Sequence, residues 1–259
     1  MEPKYRNTTF QVSNVLTYLL DHNPTWAIPE IQRPFVWDAK KVRSLIASMF
    51  LGFPVGSVMI WKGQGVRARL IGQKKSAEGE VDLVIDGQQR LTTLQIMFDA
   101  IHAELLAIGA ESPAARIEPL VENGKPFWKD SNPEDRFKVW PTNKDRPAFN
   151  EVMGAEHPIK YSTLVNFDSK LVQAHKFFSK KNEAWLAEQG PEQLMTRAGA
   201  LEKSAREFLQ IVVIDLGAQE NAQEIFETLN ARGAVLTAAD LIKNFIFQRL
   251  LEEGTDVEK

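Results

Sequence analysis

The stretch "LVIDGQQRLTTLQIMF", Leu83 to Phe98, restricts the fold more than any other part of the chain. The apolar run Leu83–Ile85 ends at Asp86. After Gly87, apolar residues recur at Leu91, Leu94, Phe98, Ile101, Leu105 and Ile108. That alternation of threes and fours is the buried face of an amphipathic helix, and Gly109 stops it. A strand therefore hands over to a helix within one turn. The first amides of a helix lack intrahelical partners and carry the positive end of its dipole, so the turn suits a phosphate or carboxylate. Gly87 permits positive φ or close backbone approach. Arg90 offers a planar fork to an anion, and Thr92 and Thr93 add first-turn hydroxyls. Gln88 and Gln89 can orient a water or a base edge, and Asp86 can hold a metal ion or accept a proton. The same residues also suit a plain helix start capped by Asp86, with the glutamines and Arg90 in solvent. Spacing alone does not separate the two.

The remaining pattern supplies the frame. "VGSVMIW" and "VDLVI" predict two strands joined by a Gly- and Lys-rich hairpin loop, and "FLQIVVIDL" predicts a later strand rich in β-branched residues. Helical spacing covers Val12 to Asp21, where Asn23-Pro24 stops it. Asp38 is placed as the N-cap of "AKKVRSLIASMFLG", with Val42, Leu45, Ile46, Met49 and Phe50 buried and Gly52 ending the helix. The prolines of "AIPEIQRPFVW" enforce extended backbone at Ile28 and Arg33. From about 110 to 143 the pattern dissolves, with "RFKVWPTNKDR" its only ordered-looking piece. Helical spacing returns over Arg146–Met153, Phe167–Glu188 and Pro191 to about Glu207. "AQEIFETLNARG" and "TAADLIKNFIFQRLLEE" close the chain, with Gly233 between them and Thr237 and Asp240 spaced as a capping box. The expected architecture is α+β: a core over 1–109, a mainly helical insertion over 110–206, and a returning strand with closing helices over 207–259.

Several chemistries are excluded. The chain has no cysteine, which removes disulfides, zinc–thiolate sites and cysteine nucleophiles. The four histidines, His22, His102, His157 and His175, do not pair at metal-ligand spacing. "GQGVRA", Gly63 to Ala68, has the glycines of a dinucleotide fingerprint but does not open a long helix, and no P-loop occurs. "MEPKYRNTTFQ" lacks a signal-peptide core and no run reaches a membrane span, so no membrane partner and a cytoplasmic location are expected. The sequon at Asn7 means nothing without secretion. The formal net charge is −3, so overall charge does not imply nucleic acid. Local basic segments exist, at Lys40, Lys41 and Arg43, and across Lys62, Arg67, Arg69, Lys74 and Lys75. Either is ordinarily a solvated face.

Four pieces together, "IPEIQRPFVWDAKKVRSLIASMFLGFPVGSVMIW", "LVIDGQQRLTTL", "VWPTNKDRPAF" and "IFETLNARGAVLTAADLIKNFIF", resemble the N-terminal domain of GmrSD-type modification-dependent restriction enzymes, a family with relatives such as SspE and BrxU. The resemblance implies a ParB/sulfiredoxin-like mixed-sheet core that binds and hydrolyses a nucleoside triphosphate, GTP or UTP, with Mg2+. The missing cysteine excludes sulfiredoxin chemistry itself. Turnover would be tied to sensing modified double-stranded DNA in anti-phage defence, phosphorothioate being favoured slightly over modified bases. Cleavage would fall to a C-terminal nuclease domain or a separate nuclease subunit, since no His-Asn-His finger follows His175. A homo-oligomer is compatible with this reading.

Residue by residue, the resemblance assigns catalysis to Asp86, Gln89 and Arg90, with Asp86 also the metal ligand. Gly87, Gln88, Thr92, Thr93, Lys243 and Asn244 would bind nucleotide. Gln32, Arg33, Pro34 and Trp37 would sense DNA or its modification, although Phe35 and Trp37 also suit a core. Asn230, Arg232 and Asp240 match the late helical motif, where Asp240 also serves the cap of Thr237. Two rivals stand beside this enzyme: a module of the same fold that clamps nucleotide or DNA phosphate without turnover, and a purely structural interaction domain.

Overall fold

The computed structural model describes residues 5–18, 26–27, 34–64, 80–125 and 136–216. Along these, the chain forms β1 (Tyr5–Gln11), α1 (Val12–Tyr18), β2 (Trp26–Ala27), α2 (Ala39–Leu51), β3 (Ser57–Gln64) and β4 (Glu80–Asp86). It continues through α3 (Gln88–Ala107), α4 (Glu111–Val121), α5 (Arg146–Met153), α6 (Lys170–Ala187) and α7 (Leu194–Lys203). A π-helical turn, Ser204–Phe208, leads into β5 (Gln210–Leu216).

The sheet has the order β1-β5-β3-β4-β2 and is mixed. β5 runs antiparallel to β1 and parallel to β3, so Val213 lies between Thr8 and Val58. β3 and β4 pair antiparallel, as a hairpin requires, with a bulge between Met59 and Ile60 that leaves Met59 opposite Asp86. The returning strand thus lies inside the sheet rather than at its edge. Its β-branched run suits that place: Ile211 and Val213 are buried on one face, while Val212 and Ile214 on the other are half-buried.

α2 follows its sequence closely. The Asp38 carboxylate accepts from the Lys41 amide at 3.0 Å, and Gly52 ends the helix at φ +67°. Val42, Leu45, Ile46 and Met49 are buried as expected, but Phe50 is 45% exposed. Two elements were not anticipated. β1 carries polar Asn7, Thr8 and Thr9, so no apolar alternation announces it. α4 lies in the stretch expected to be irregular. Its Pro113 occupies the first turn, where an N–H has no partner to lose, and Pro119 comes two residues before its end. Ala114, Ile117, Leu120 and Val121 form its buried face.

α3 also departs from expectation. It is buried on every side from Leu91 to Ile101 instead of along one stripe, because α4, α6 and α7 cover the flanks the sheet leaves open. One cluster of buried residues joins Val12, Val58 and Val213 to Ile117, Phe149, Phe178 and Leu201, so the core runs unbroken from the sheet into the helices after 110. Gln95 is wholly buried on α3. Its Nε2 donates to Val121 O at 2.8 Å and its Oε1 accepts from Val139 N at 3.3 Å, fixing the chain on both sides of residues 126–135.

Candidate functional site

Gly87 caps α3 with φ +102°, so the cap is a residue without a side chain and Asp86 does not take that place. A Cβ at Gly87 would lie 2.8 Å from Val58 Cγ2, which shows how closely the turn presses on β3. The first helical bond runs from Leu91 N to Gly87 O at 3.0 Å. Glycine is therefore needed here for conformation and for space.

Arg90 lies inward from this turn, partly buried. Its Nη1 donates to Ser57 O, and its guanidinium carbon sits 5.8 Å from the centre of the Trp37 ring. It lies flat on Gly56: a Cβ there would come within 2.6 Å of Arg90 Nε. Gly56 has φ +116°, and its carbonyl accepts from Val212 N at 2.9 Å, so the floor beneath the guanidinium is pinned to β5. Arg90 Nε is buried without a hydrogen-bond partner, and among the described residues Arg90 forms no ion pair. Burial lowers its pKa, and the nearby charge of Asp86 partly restores it. A guanidinium remains protonated even so, which leaves a largely enclosed cation with no contacting anion among the described residues.

Gln88 is 4% exposed, and its Oε1 is also buried without a partner. Gln89 is engaged differently. Its Oε1 accepts from Val36 N at 2.8 Å and its Nε2 donates to Pro34 O at 3.1 Å. The expectation that Gln89 holds a water or phosphate meets an amide already bound at both ends to the Pro34–Val36 backbone. The threonines depart from expectation too. Thr92 and Thr93 are buried, and the Thr93 hydroxyl donates back to Gln89 O at 2.7 Å, so neither is an open first-turn hydroxyl.

The Pro34–Trp37 segment is held from three sides. Besides Gln89, the Asp145 carboxylate accepts from Phe35 N at 2.7 Å and from the Thr142 hydroxyl at 3.0 Å. Lys170 Nζ donates to Val36 O at 3.3 Å. Phe35 enters the core while Trp37 remains partly buried over Arg90. Sequence reasoning missed Gly56, Ser57, Asp145 and Lys170 in this arrangement. "FPVGS" and "TNKD" lie inside stretches that carry the family resemblance, but nothing in their spacing tells that they meet. Gln32 and Arg33 lie outside the described residues, as do Asn230, Arg232, Asp240, Lys243 and Asn244.

Asp86, at the end of β4, is partly buried beside the same turn. Among the described residues no group of three histidines or carboxylates is arranged to hold a metal. One carboxylate suits Mg2+ that takes its other ligands from phosphates and water, so Asp86 fits that use, and the described residues form no protein-only cage.

Fold and site define a mixed-sheet α+β domain in which α3 starts on a glycine and carries in its first turn a partly buried arginine with no ion pair among the described residues. Residues 16–247 match the family described as GmrSD restriction endonuclease, N-terminal domain, and the chain belongs to that family. It is accordingly a component of a restriction system. No curated protein matches the chain.

Proposed function

We propose that the domain binds a nucleoside triphosphate, GTP or UTP, at the Gly87–Arg90 turn and hydrolyses it while sensing modified DNA for a nuclease. The observation that carries this reading is Arg90: a buried cation with an orphaned Nε and no ionic partner among the described residues. A phosphate supplies the charge and the acceptor such a group requires. Amides of the first turn of α3 add donors, and Asp86 would hold Mg2+, which would neutralise phosphate charge. Arg90 then steadies charge on the transferring group, and Asp86 also lies where it can receive a proton. Lys243 and Asn244 are proposed to reach the phosphate or ribose, with Asn230, Arg232 and Asp240 in support.

Gln89 has a positioning role in this scheme. It ties the Pro34–Trp37 segment to the turn, while Trp37 covers Arg90. With Gln32 and Arg33 leading into it, this segment is the proposed sensor, and a DNA contact that shifts it disturbs the nucleotide turn directly. Phosphorothioate, whose sulfur suits an apolar contact beside Pro34 and Trp37, is the favoured modification.

The engagement of Gln89 favours a second reading, a phosphate clamp without turnover, because the amide expected to orient water is bound to backbone. Calorimetry and phosphate release distinguish the cases. Arg90→Ala should weaken triphosphate binding about 10- to 100-fold, the loss of charge-assisted hydrogen bonds. Unchanged affinity in that variant would remove the nucleotide site from this turn. Binding without phosphate release, with or without modified duplex, would leave the clamp.

A further inference from the structure

Most arginines on the helical side are neutralised. Arg116 and Arg206 meet Glu202, Arg136 meets Glu122, and Arg197 meets Glu188. The seam between α2 and α6 is different. Lys40, Lys41 and Arg43 of α2 and Lys180 and Lys181 of α6 are exposed, and among the described residues none forms an ion pair. α2 itself contains no acidic residue. The same elements also carry acids, among them Asp38, whose carboxylate caps α2, and the exposed Glu183 of α6.

Two of these cations flank one ring. The Arg43 guanidinium carbon lies 5.9 Å, and Lys181 Nζ 6.0 Å, from the centre of Phe177. Further along, the Phe50 and Trp185 rings are 5.8 Å apart. Since the pairs advance together, from 43 with 177 to 50 with 185, the two helices run side by side in the same direction. Their N-termini, each with a partial positive charge, therefore lie at the same end of the seam. Lys170 and the Pro34–Trp37 segment meet at that end.

We propose that the α2–α6 seam seats duplex DNA by its phosphate backbone. In a chain of net charge −3, Arg43 and Lys181 share the Phe177 ring without an ion pair among the described residues, and Lys40 and Lys180 stand exposed on the same two helices, a local charge that a polyphosphate complements. Phe177 holds Arg43 and Lys181 in place by cation–π attraction, which reduces the ordering each needs when it meets a phosphate. The seam leads into the Pro34–Trp37 segment, so DNA lying on it abuts the residues bonded to Gln89. This deepens the sensing role proposed above and rests on its DNA partner, not on its nucleotide chemistry.

The test is fluorescence anisotropy of the full chain with a labelled, unmodified duplex over a range of salt concentrations. Arg43→Ala with Lys181→Ala should lower affinity about tenfold or more at low salt. It should also flatten the slope of log K against log salt by about 0.9 for each phosphate that is no longer neutralised. Lys40→Ala with Lys180→Ala should act in the same sense. Lys203→Ala, which removes an exposed cation on α7, should change neither quantity. The readout is duplex binding without nucleotide, so the seam result stands even if triphosphate binding proves absent, and both seam variants should keep the wild-type affinity for triphosphate measured without duplex. Wild-type affinity and slope in both seam variants, with circular dichroism showing native folds, would overturn the proposal. So would equal weakening by Lys203→Ala, or a wild-type chain that takes up polyglutamate and no duplex, the behaviour of a site for an acidic protein.

Discussion

α3 carries two buried polar regions, about three turns apart, and they are built in opposite ways. At its start, Arg90 Nε and Gln88 Oε1 are buried without partners. In its middle, Asp99 Oδ2 meets His175 Nε2 at 2.8 Å, and the Tyr161 hydroxyl meets His175 Nδ1 at 2.8 Å. A carboxylate needs a donor, so His175 Nε2–H donates to Asp99, and both ring nitrogens have a partner. One turn on, the Ser179 hydroxyl donates to Glu104 Oε1 at 2.6 Å, and burial raises the Glu104 pKa. Tyr161 is likewise pushed up to about 12, chiefly by burial. The chain Asp99–His175–Tyr161 resembles a catalytic relay, yet its histidine has no solvent exposure and every group in it has a partner within the fold. It joins α3 to α6 and to the turn around Tyr161. Complete satisfaction marks a structural network; incomplete satisfaction marks a place to look for a ligand.

The largest effect should come from breaking the satisfied network. His175→Ala leaves the Asp99 carboxylate, 4% exposed, without its partner, and should cost about 3–5 kcal/mol in urea unfolding. Arg90→Ala should change stability by less, within about 1 kcal/mol, because it removes an enclosed charge that has no ionic partner among the described residues. Equal losses in the two variants would erase the contrast between the regions.

Gly56→Ala sharpens the comparison next. Alanine at φ +116° is strained and its Cβ meets the guanidinium, so a loss of roughly 1–3 kcal/mol is expected. Repeating the substitution in an Arg90→Ala background should recover the part due to the clash, and a strictly additive cycle would show that Arg90 does not lie on Gly56.

The smallest effect concerns pH. His157 stacks on His175 with ring centres 6.2 Å apart. Burial is the main reason its pKa falls below 6.5; His175 and His102 lower it further, and Asp99 opposes them. The folded state thus favours the neutral ring, and the unfolded chain takes up the proton first as pH drops. The contribution is complete above about 6.5 and declines below it until the folded ring also protonates. His157→Gln should remove that decline, seen as a flatter dependence of the unfolding midpoint on pH. An unchanged dependence would show that His157 does not titrate differently on folding.

Much of the frame was legible. Asp38, Gly52 and the apolar stripe of α2 act locally, as do the strand signals of β3, β4 and β5, and the structure places them as their spacing implied. The strand–glycine–helix turn was equally local. β1 escaped because Asn7, Thr8 and Thr9 gain their strand conformation from pairing with β5, roughly two hundred residues away. α4 escaped because Pro113 and Pro119 signal irregularity unless their positions within the helix are known. Thr92, Thr93 and Gln89 read as open because apolar spacing along one helix does not tell that α4, α6 and α7 enclose α3. The four histidines offer no metal-ligand spacing along the chain, but the meeting of Asp99, Tyr161 and His175 had no sequence signal at all.

Sequence by itself determined the local conformations: where α2 begins and ends, that β4 turns into α3 at a glycine, and that an arginine stands in the first helical turn. These depend on neighbours within a few residues, whose steric and hydrogen-bonding preferences are intrinsic. Tertiary structure alone decided what Arg90 faces, that Gln89 grips Pro34 and Val36, and that Arg43 and Lys181 share one ring. Each of those depends on surfaces brought together from distant segments, and burial and pairing exist only once those surfaces meet.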